Sequence, residues 1–499
     1  MSIGSVGTRS QISIQSLVDL RARLDALQQQ LTSGKKADTY AGMGVDRGLG
    51  VTLRSQLAAL GGYDQTITMV GLRLNVAQTA LTRINAIGQT VKSGALQAGA
   101  LNADGKTIAQ ETARTSLDEL TDLLNTKAGD RSVFGGRATD RPAVETADHI
   151  LNGDGARAGL TQIIDERKQA DLGANGLGRL VIPPAAGASV SISEDAAGSP
   201  FGFKLASVTS TLSGAAVTGP SGSPPAASVA LTSNPVAGES VTFNFNLPDG
   251  TTQALTLTAT NDTPPGAGQF TIGATPADTA TNLQAALTTG VGYQARTTLT
   301  AASAVAAADN FFNTDATHPP LRVAGPPFTS ATALTAGTAA NTVSWYTGEM
   351  ASDPARSSAT ARIDDSITVN YGVRANEQGI RQLVQSVALF ATATNDPSDP
   401  ESTARYTALA ARTSAALAPP PGQQKVNDIL SDIAAAQGTL STATDRHKQT
   451  SSALSGMIDS IENVSPEEVG AQILALQTRL QASLQTTALL YQTSLVNYL

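Results

Sequence analysis

Few side chains in this sequence have a type and spacing suited to chemistry. Asp364-Asp365 is a pair of adjacent carboxylates, the raw material of general acid–base work. Neighbours in sequence point in different directions on a helix or a strand, so the pair reads as solvated. Asp445-Arg446-His447-Lys448 sets an imidazole among charges; on a helix such a turn reads as a solvated face. Gly34-Lys35 lacks the spacing of a phosphate loop and suits a helix ending. Gly42-Met-Gly44 and Gly48-Leu-Gly50 do not follow a strand in a βαβ unit, which dinucleotide binding would need. Trp345-Tyr346 is the one notable aromatic pair, and it suits packing at a domain junction. There is no cysteine, and the three histidines, His149, His318 and His447, are scattered. Thiolate and metal sites therefore have little to be built from. The expectation is a protein without catalytic, cofactor or metal sites, and not an enzyme.

Composition points the same way. The 499 residues are 4% aromatic and 15% charged, with alanine, threonine, serine and glycine dominating. Such a chain suits long helices packed through small residues plus a light β region. The net charge of −8 and the lack of a Lys/Arg-rich run argue against nucleic acid as the main partner. No apolar run of about 18 residues is present for membrane insertion. Met1 to Gln15 alternates polar and small residues, so no cleavable signal is expected, and the chain reads as soluble or exported by another route.

What organises the chain is its long amphipathic helices. Ser465-Pro466-Glu467-Glu468 is a helix start: Ser caps, Pro fits the first position and Glu at the third closes a capping box. Val469, Ile473, Leu476, Leu480, Leu484, Ala488, Tyr491, Leu495 and Tyr498 follow at spacings of three or four, ahead of Leu499. They form one stripe on a helix of about 35 residues, roughly 50 Å long. An amphipathic helix of this length needs a partner, because a solitary helix is marginal in water. Ile14, Leu17, Leu20, Leu24, Leu27 and Leu31 make a similar seam that stops at Ser33-Gly34. Lys35 to Gly50, rich in glycine, reads as an irregular connector. From about Val51 to Gln97 two interleaved heptads, Leu60, Ile67, Leu74, Leu81 and Val70, Ala77, Ile84, Val91, predict a long coiled-coil-like helix. A third helix covers about 104–125, a turn or short hairpin 129–136, and a short helix the stretch around 160–170.

From about Leu180 the language changes. Val241-Thr-Phe-Asn-Phe-Asn-Leu247 and Ala254-Leu-Thr-Leu-Thr258 alternate around Pro248-Asp249-Gly250, which predicts a β-hairpin. Pro276 to Thr289 predicts one short helix. The segment reads as one or two small, mainly β domains, with an unstructured Ser/Thr/Pro linker as the alternative. Helices return at about 376–391 and 402–417, Pro419-Pro420-Pro421-Gly422 is a stop, and Val426 to Ile461 outlines another long helix. The predicted fold is mainly α with an inserted β-rich region. The expected domains are a terminal core helix and connector, 1–50, pairing with 462–499; helical halves at 51–180 and 345–461; and β-rich outer domains at 181–344.

Against this plan the sequence resembles the bacterial flagellins and related hook-associated proteins. Leu24-Asp-Ala-Leu-Gln-Gln-Gln-Leu-Thr-Ser-Gly-Lys-Lys36 is similar to the family's first-helix ending. Leu123-Leu-Asn-Thr126, Arg131-Ser-Val-Phe-Gly-Gly136, Tyr371-Gly-Val-Arg-Ala-Asn-Glu377, Ile461-Glu-Asn-Val464 and Ser494-Leu-Val-Asn-Tyr-Leu499 follow in the family's order. The second and the last are most similar to the hook–filament junction class, hook-associated protein type 3. The likeness covers about 10–136 and 363–499. The glycine-rich Ala41 to Gly50 departs from the polar, Asp-containing connector usual in the family.

The resemblance implies an extracellular subunit exported through the flagellar type III channel without a cleaved signal, folding at the growing tip. Its partners would be copies of itself in a ring or helical assembly, other flagellar axial proteins, and an export chaperone on the C-terminal helix. The implied assembly interface is Leu17, Leu20, Leu24, Leu27 and Leu31 with Val469, Ile473, Leu476, Leu480, Leu484, Tyr491, Leu495, Tyr498 and Leu499. The leading expectation is the junction protein at the distal end of the hook. The alternatives are a filament flagellin and a non-flagellar secreted rod or adhesin whose β insertion binds glycans.

Overall fold

The computed structural model describes residues 3–97, 99–314 and 318–496, except for the side chains of 3–10, 13 and 490–496. Among them run eleven α-helices: α1 (Ile3–Ser33), α2 (Arg47–Ala95), α3 (Ile108–Leu124), α4 (Ala147–Asn152), α5 (Leu160–Leu172), α6 (Pro276–Gln294), α7 (Thr300–Phe312), α8 (Gln378–Thr392), α9 (Ser402–Ala416), α10 (Val426–Glu462) and α11 (Pro466–Val496). Long helices lie toward both ends of the chain and small β-sheets in the middle, which is the fold class the sequence predicts. The chain divides into two compact units. One takes Met1–Met69, Arg362–Val369 and Gly438–Leu499, the other Val70–Ala361 and Asn370–Gln437.

In the second unit the heptads of α2 are the buried stripe. Leu74, Ala77, Leu81, Ile84 and Val91 are all nearly sealed from solvent. A glycine lets α8 come close: a Cβ on Gly88 would sit 2.7 Å from Leu383 Cδ1. The start of α3 is held by a capping box between Thr107 and Gln110, both buried. Gln110 does further work across the fold, donating from Nε2 to the carbonyls of Phe390 (3.2 Å) and Ala393 (2.7 Å) at the end of α8. Buried polar groups need such partners, so this one amide fixes where α3 and α8 meet.

The predicted hairpin is strands Ser240–Asn246 and Thr252–Thr260, antiparallel, with Phe243 opposite Leu255. It belongs to a four-stranded sheet with Lys204–Ser210 and Gln269–Thr271, the latter pairing parallel. A second four-stranded sheet is built from Leu180–Val181, Ser189–Glu194, Ala226–Leu231 and Ala215–Ser221. Their inner faces share one core with Phe203, Phe243, Phe245 and Phe270 at its centre. Phe243 is 1% exposed, so Phe243→Ala should cost about 3–5 kcal/mol in denaturant unfolding of this region.

The middle segment is more helical than its sequence suggests. α6 runs past residue 289 to Gln294, continues through a π turn (Ala295–Leu299) and leads into α7. Ala280, Leu283, Leu287 and Val291 of α6 complete the core of the sheets. The stretch Ala301 to Ala308 is almost all small apolar residues, so it carries no polar–apolar contrast from which a period can be read. Trp345 and Tyr346 are fully buried. Trp345 Nε1 donates to the Phe312 carbonyl at 2.9 Å and its ring lies 5.2 Å from that of Phe312, anchoring the strand-poor segment after residue 340 on the end of α7.

Candidate assembly interface

The first unit contains both long terminal helices, and they lie side by side. Gly34, at φ +69°, ends α1 in the left-handed region that glycine adopts without strain. There the chain crosses the α10–α11 junction: Lys36 N–H donates to the Glu462 carbonyl (2.7 Å) and Val464 N–H to the Gly34 carbonyl (3.0 Å). The C-terminal end of α1 thus meets the N-terminal start of α11, and the two run antiparallel. At that start Ser465 Oγ accepts from Glu468 N–H at 3.4 Å, while its hydroxyl turns to the Glu467 carboxylate at 2.5 Å. The serine cap forms as expected, but the hydroxyl's acidic partner is Glu467.

The seams are only partly covered. Val469 and Leu476 are buried; Leu17, Leu20, Leu24, Leu27, Ile473 and Leu480 are half-buried; Leu31 and Leu484 are exposed, the latter at 50%. Tyr491 and Leu495 sit on the backbone of α11 with side chains outside the described residues, and Tyr498 and Leu499 lie outside them altogether. Ile12, Ile14 and Val18 on α1 and Leu474 and Leu489 on α11 are exposed as well. Apart from Ile14 these fall off the stripes read from the sequence. The signal was present, since Leu474 and Leu489 are large apolar residues beside a seam already full. Each helix therefore covers part of its apolar surface against the other and leaves the rest open.

Next to this pair α2 and α10 also run antiparallel within the unit. Leu53, Leu454 and Ile458 form a small buried cluster, flanked by Arg54 Nε donating to Glu462 Oε1 at 2.7 Å. Here one sequence-based expectation fails. His447 is not on a solvated face but is 1% exposed. Its Nδ1 lies 2.7 Å from Asp64 Oδ1 and its Nε2 3.5 Å from Asp364 Oδ2. Asp364 also pairs with Arg446, and Tyr63 Oη donates to Asp365 Oδ1 at 2.9 Å. The two aspartates do point apart, but they tie the loop at 362–369 to both helices. A turn of charged residues reads as solvent-facing until the loop that covers it is known. Among the described residues no group of histidines and carboxylates could hold a metal ion.

Two carboxylates in this latch are held below their ordinary range. For Asp364 the cause is first the Asp365 backbone N–H, aided by Arg446 against partial burial; for Glu462 it is the bond from Arg54. A carboxylate whose folded value is depressed adds stability that is complete above its unfolded value, about pH 4–4.5, and lost as pH falls through the folded one. Thermal melts should therefore be level from about pH 7 to 5 and fall below about pH 4.

No helix among the described residues is long and apolar enough to cross a membrane. Residues 8–139, from α1 through the turn after α3, match the bacterial flagellin N-terminal helical region. No curated protein matches the chain. The flagellins are structural proteins, exported and self-assembling, which suits a terminal helix pair with open apolar surface. The match to the flagellin N-terminal helical region, the long helices toward both ends and the β-rich middle together support a bacterial flagellin family protein, a structural subunit of the flagellum.

Proposed function

We propose that this subunit is the hook–filament junction protein, assembling at the distal end of the hook through α1 and α11. The observation that carries the assembly half of this reading is the apolar surface left open on each terminal helix: Ile12, Val18 and Leu31 on α1 and Leu474, Leu484 and Leu489 on α11 are exposed, while Val469 and Leu476 are buried. Exposed apolar surface of this kind marks an association site. The junction half is supported by Arg131-Ser-Val-Phe-Gly-Gly136 and the ending Ser494-Leu-Val-Asn-Tyr-Leu499, which resemble that class. In this reading the interface is Leu17, Leu20, Leu24, Leu27, Leu31, Val469, Ile473, Leu476, Leu480, Leu484, Tyr491, Leu495, Tyr498 and Leu499. The helices at 1–50 and 462–499 form the inner core and 181–344 faces outward. An export chaperone covers the C-terminal helix before passage through the type III channel.

Deleting the gene tests the role. A junction subunit leaves bare hooks while flagellin is secreted into the medium, and it is present at on the order of a dozen copies per flagellum. The second reading is a filament flagellin, which suits the family match over residues 8–139 equally well. It wins if the purified protein alone grows long filaments. A point substitution separates interface from fold: Leu484→Asp, at a side chain half-exposed in the subunit, should leave the melting temperature unchanged and reduce assembly by about tenfold or more.

A further inference from the structure

A cavity of about 320 Å³ opens between α5, α7, α9 and the chain following α8, all within the second unit. This is within the range of small-ligand sites, about 300–1,000 Å³. Its floor is apolar, with Ile164, Leu389 and Leu409, and its polar wall carries Lys168, Thr161, Thr394, Asn395 and Arg405. The charges there are unequally occupied. Arg405 is committed to Asp399 (2.6 Å) and to Asn395 Oδ1 (3.3 Å). Asp396 accepts from Ser398 N–H and Oγ, at 2.8 and 2.7 Å. Asp165 lies at the exposed edge.

Lys168 differs from all of these. Among the described residues no carboxylate lies within ion-pair distance of its ammonium and no hydrogen bond holds it. Burial pushes it below the ordinary lysine value, opposed by Asp165 and reinforced by Arg405. Lys168 is half-buried in the cavity lining with no partner in contact, and an arriving carboxylate would give its ammonium a charge-assisted bond.

We propose that this cavity binds a small hydroxylated carboxylate of the sugar-acid class. The carboxylate pairs with Lys168 Nζ, the hydroxyls meet Thr161, Thr394 and the Asn395 amide, and the carbon skeleton lies on Ile164 and Leu409. Hydroxyl-bearing side chains beside one unpaired cation select against both a bare fatty acid and a neutral sugar.

Isothermal titration of the full-length protein with glucuronate, gluconate, acetate and glucose tests the proposal. Both sugar acids should bind, with acetate and glucose weaker by about tenfold or more. Lys168→Met should lose the acids by a similar factor, and Lys168→Arg should retain part of the affinity. Amine labelling of the wild-type protein, read at Lys168 by mass spectrometry, should slow when glucuronate is present; this arm needs no variant to fold. The proposal is overturned if neither acid binds, if glucose binds as well as glucuronate, if Lys168→Met binds as tightly as the wild type, or if labelling is unaffected by the acid.

Discussion

Removal of residues 491–499 is expected to leave a soluble, exportable subunit that no longer assembles. The deletion takes away Tyr491, Leu495, Tyr498 and Leu499, four large side chains on or beyond the last turns of α11. Full burial of such a side chain stabilises by about 1.5–3 kcal/mol, and each 1.4 kcal/mol is tenfold in an association constant. Loss of even half of that burial at each subunit contact lowers assembly by more than about a hundredfold. The β-rich core and the α2–α10 latch do not depend on these residues. The melting of the second unit should therefore be unchanged, and secretion into the medium should persist. Sedimentation of the purified variant, beside its yield in culture supernatant, reads both parts. Normal assembly by the truncated chain would remove the terminal helix from its central place in this account.

The second large effect is expected in hydrogen exchange. In the isolated subunit, amides of α1 around 17–31 and of α11 around 473–489 should exchange close to freely, and on assembly they should slow by about a hundredfold or more. The physical reason is the half-finished burial described above. Among the described side chains only Val469 and Leu476 are sealed along the α11 stripe, and none in the α1 seam is. Helices held by so thin an apolar contact recover little of the backbone entropy that ordering costs. By contrast Leu74, Leu81 and Ile84 of α2 are closed from solvent already, so their amides should be protected in the subunit and change little. Strong protection of 473–489 in the free subunit would show that the antiparallel pair is stable unaided.

Much of this molecule was legible without coordinates. The heptads of Leu60 to Val91, the stop at Gly34, the cap at Ser465 and the hairpin around Pro248-Asp249-Gly250 are local statements, made by neighbours in sequence. They appear where such local rules put them. The candidate interface residues were legible as apolar stripes for the same reason, because amphipathic periodicity is written along one helix.

What the sequence left open depends on residues far apart in the chain. The burial of His447 follows from Asp64 on α2 and Asp364 in a separate loop closing over it, and a charged turn carries no mark of that cover. The continuation of the predicted 276–289 helix to Gln294 and the whole of α7 were not legible, because the run Ala301 to Ala308 offers no polar–apolar contrast from which a period can be read. How much of each terminal seam is covered was likewise decided by packing. Periodicity determines that a helix has an apolar face, but only the partner's position determines how much of that face is left for a neighbour.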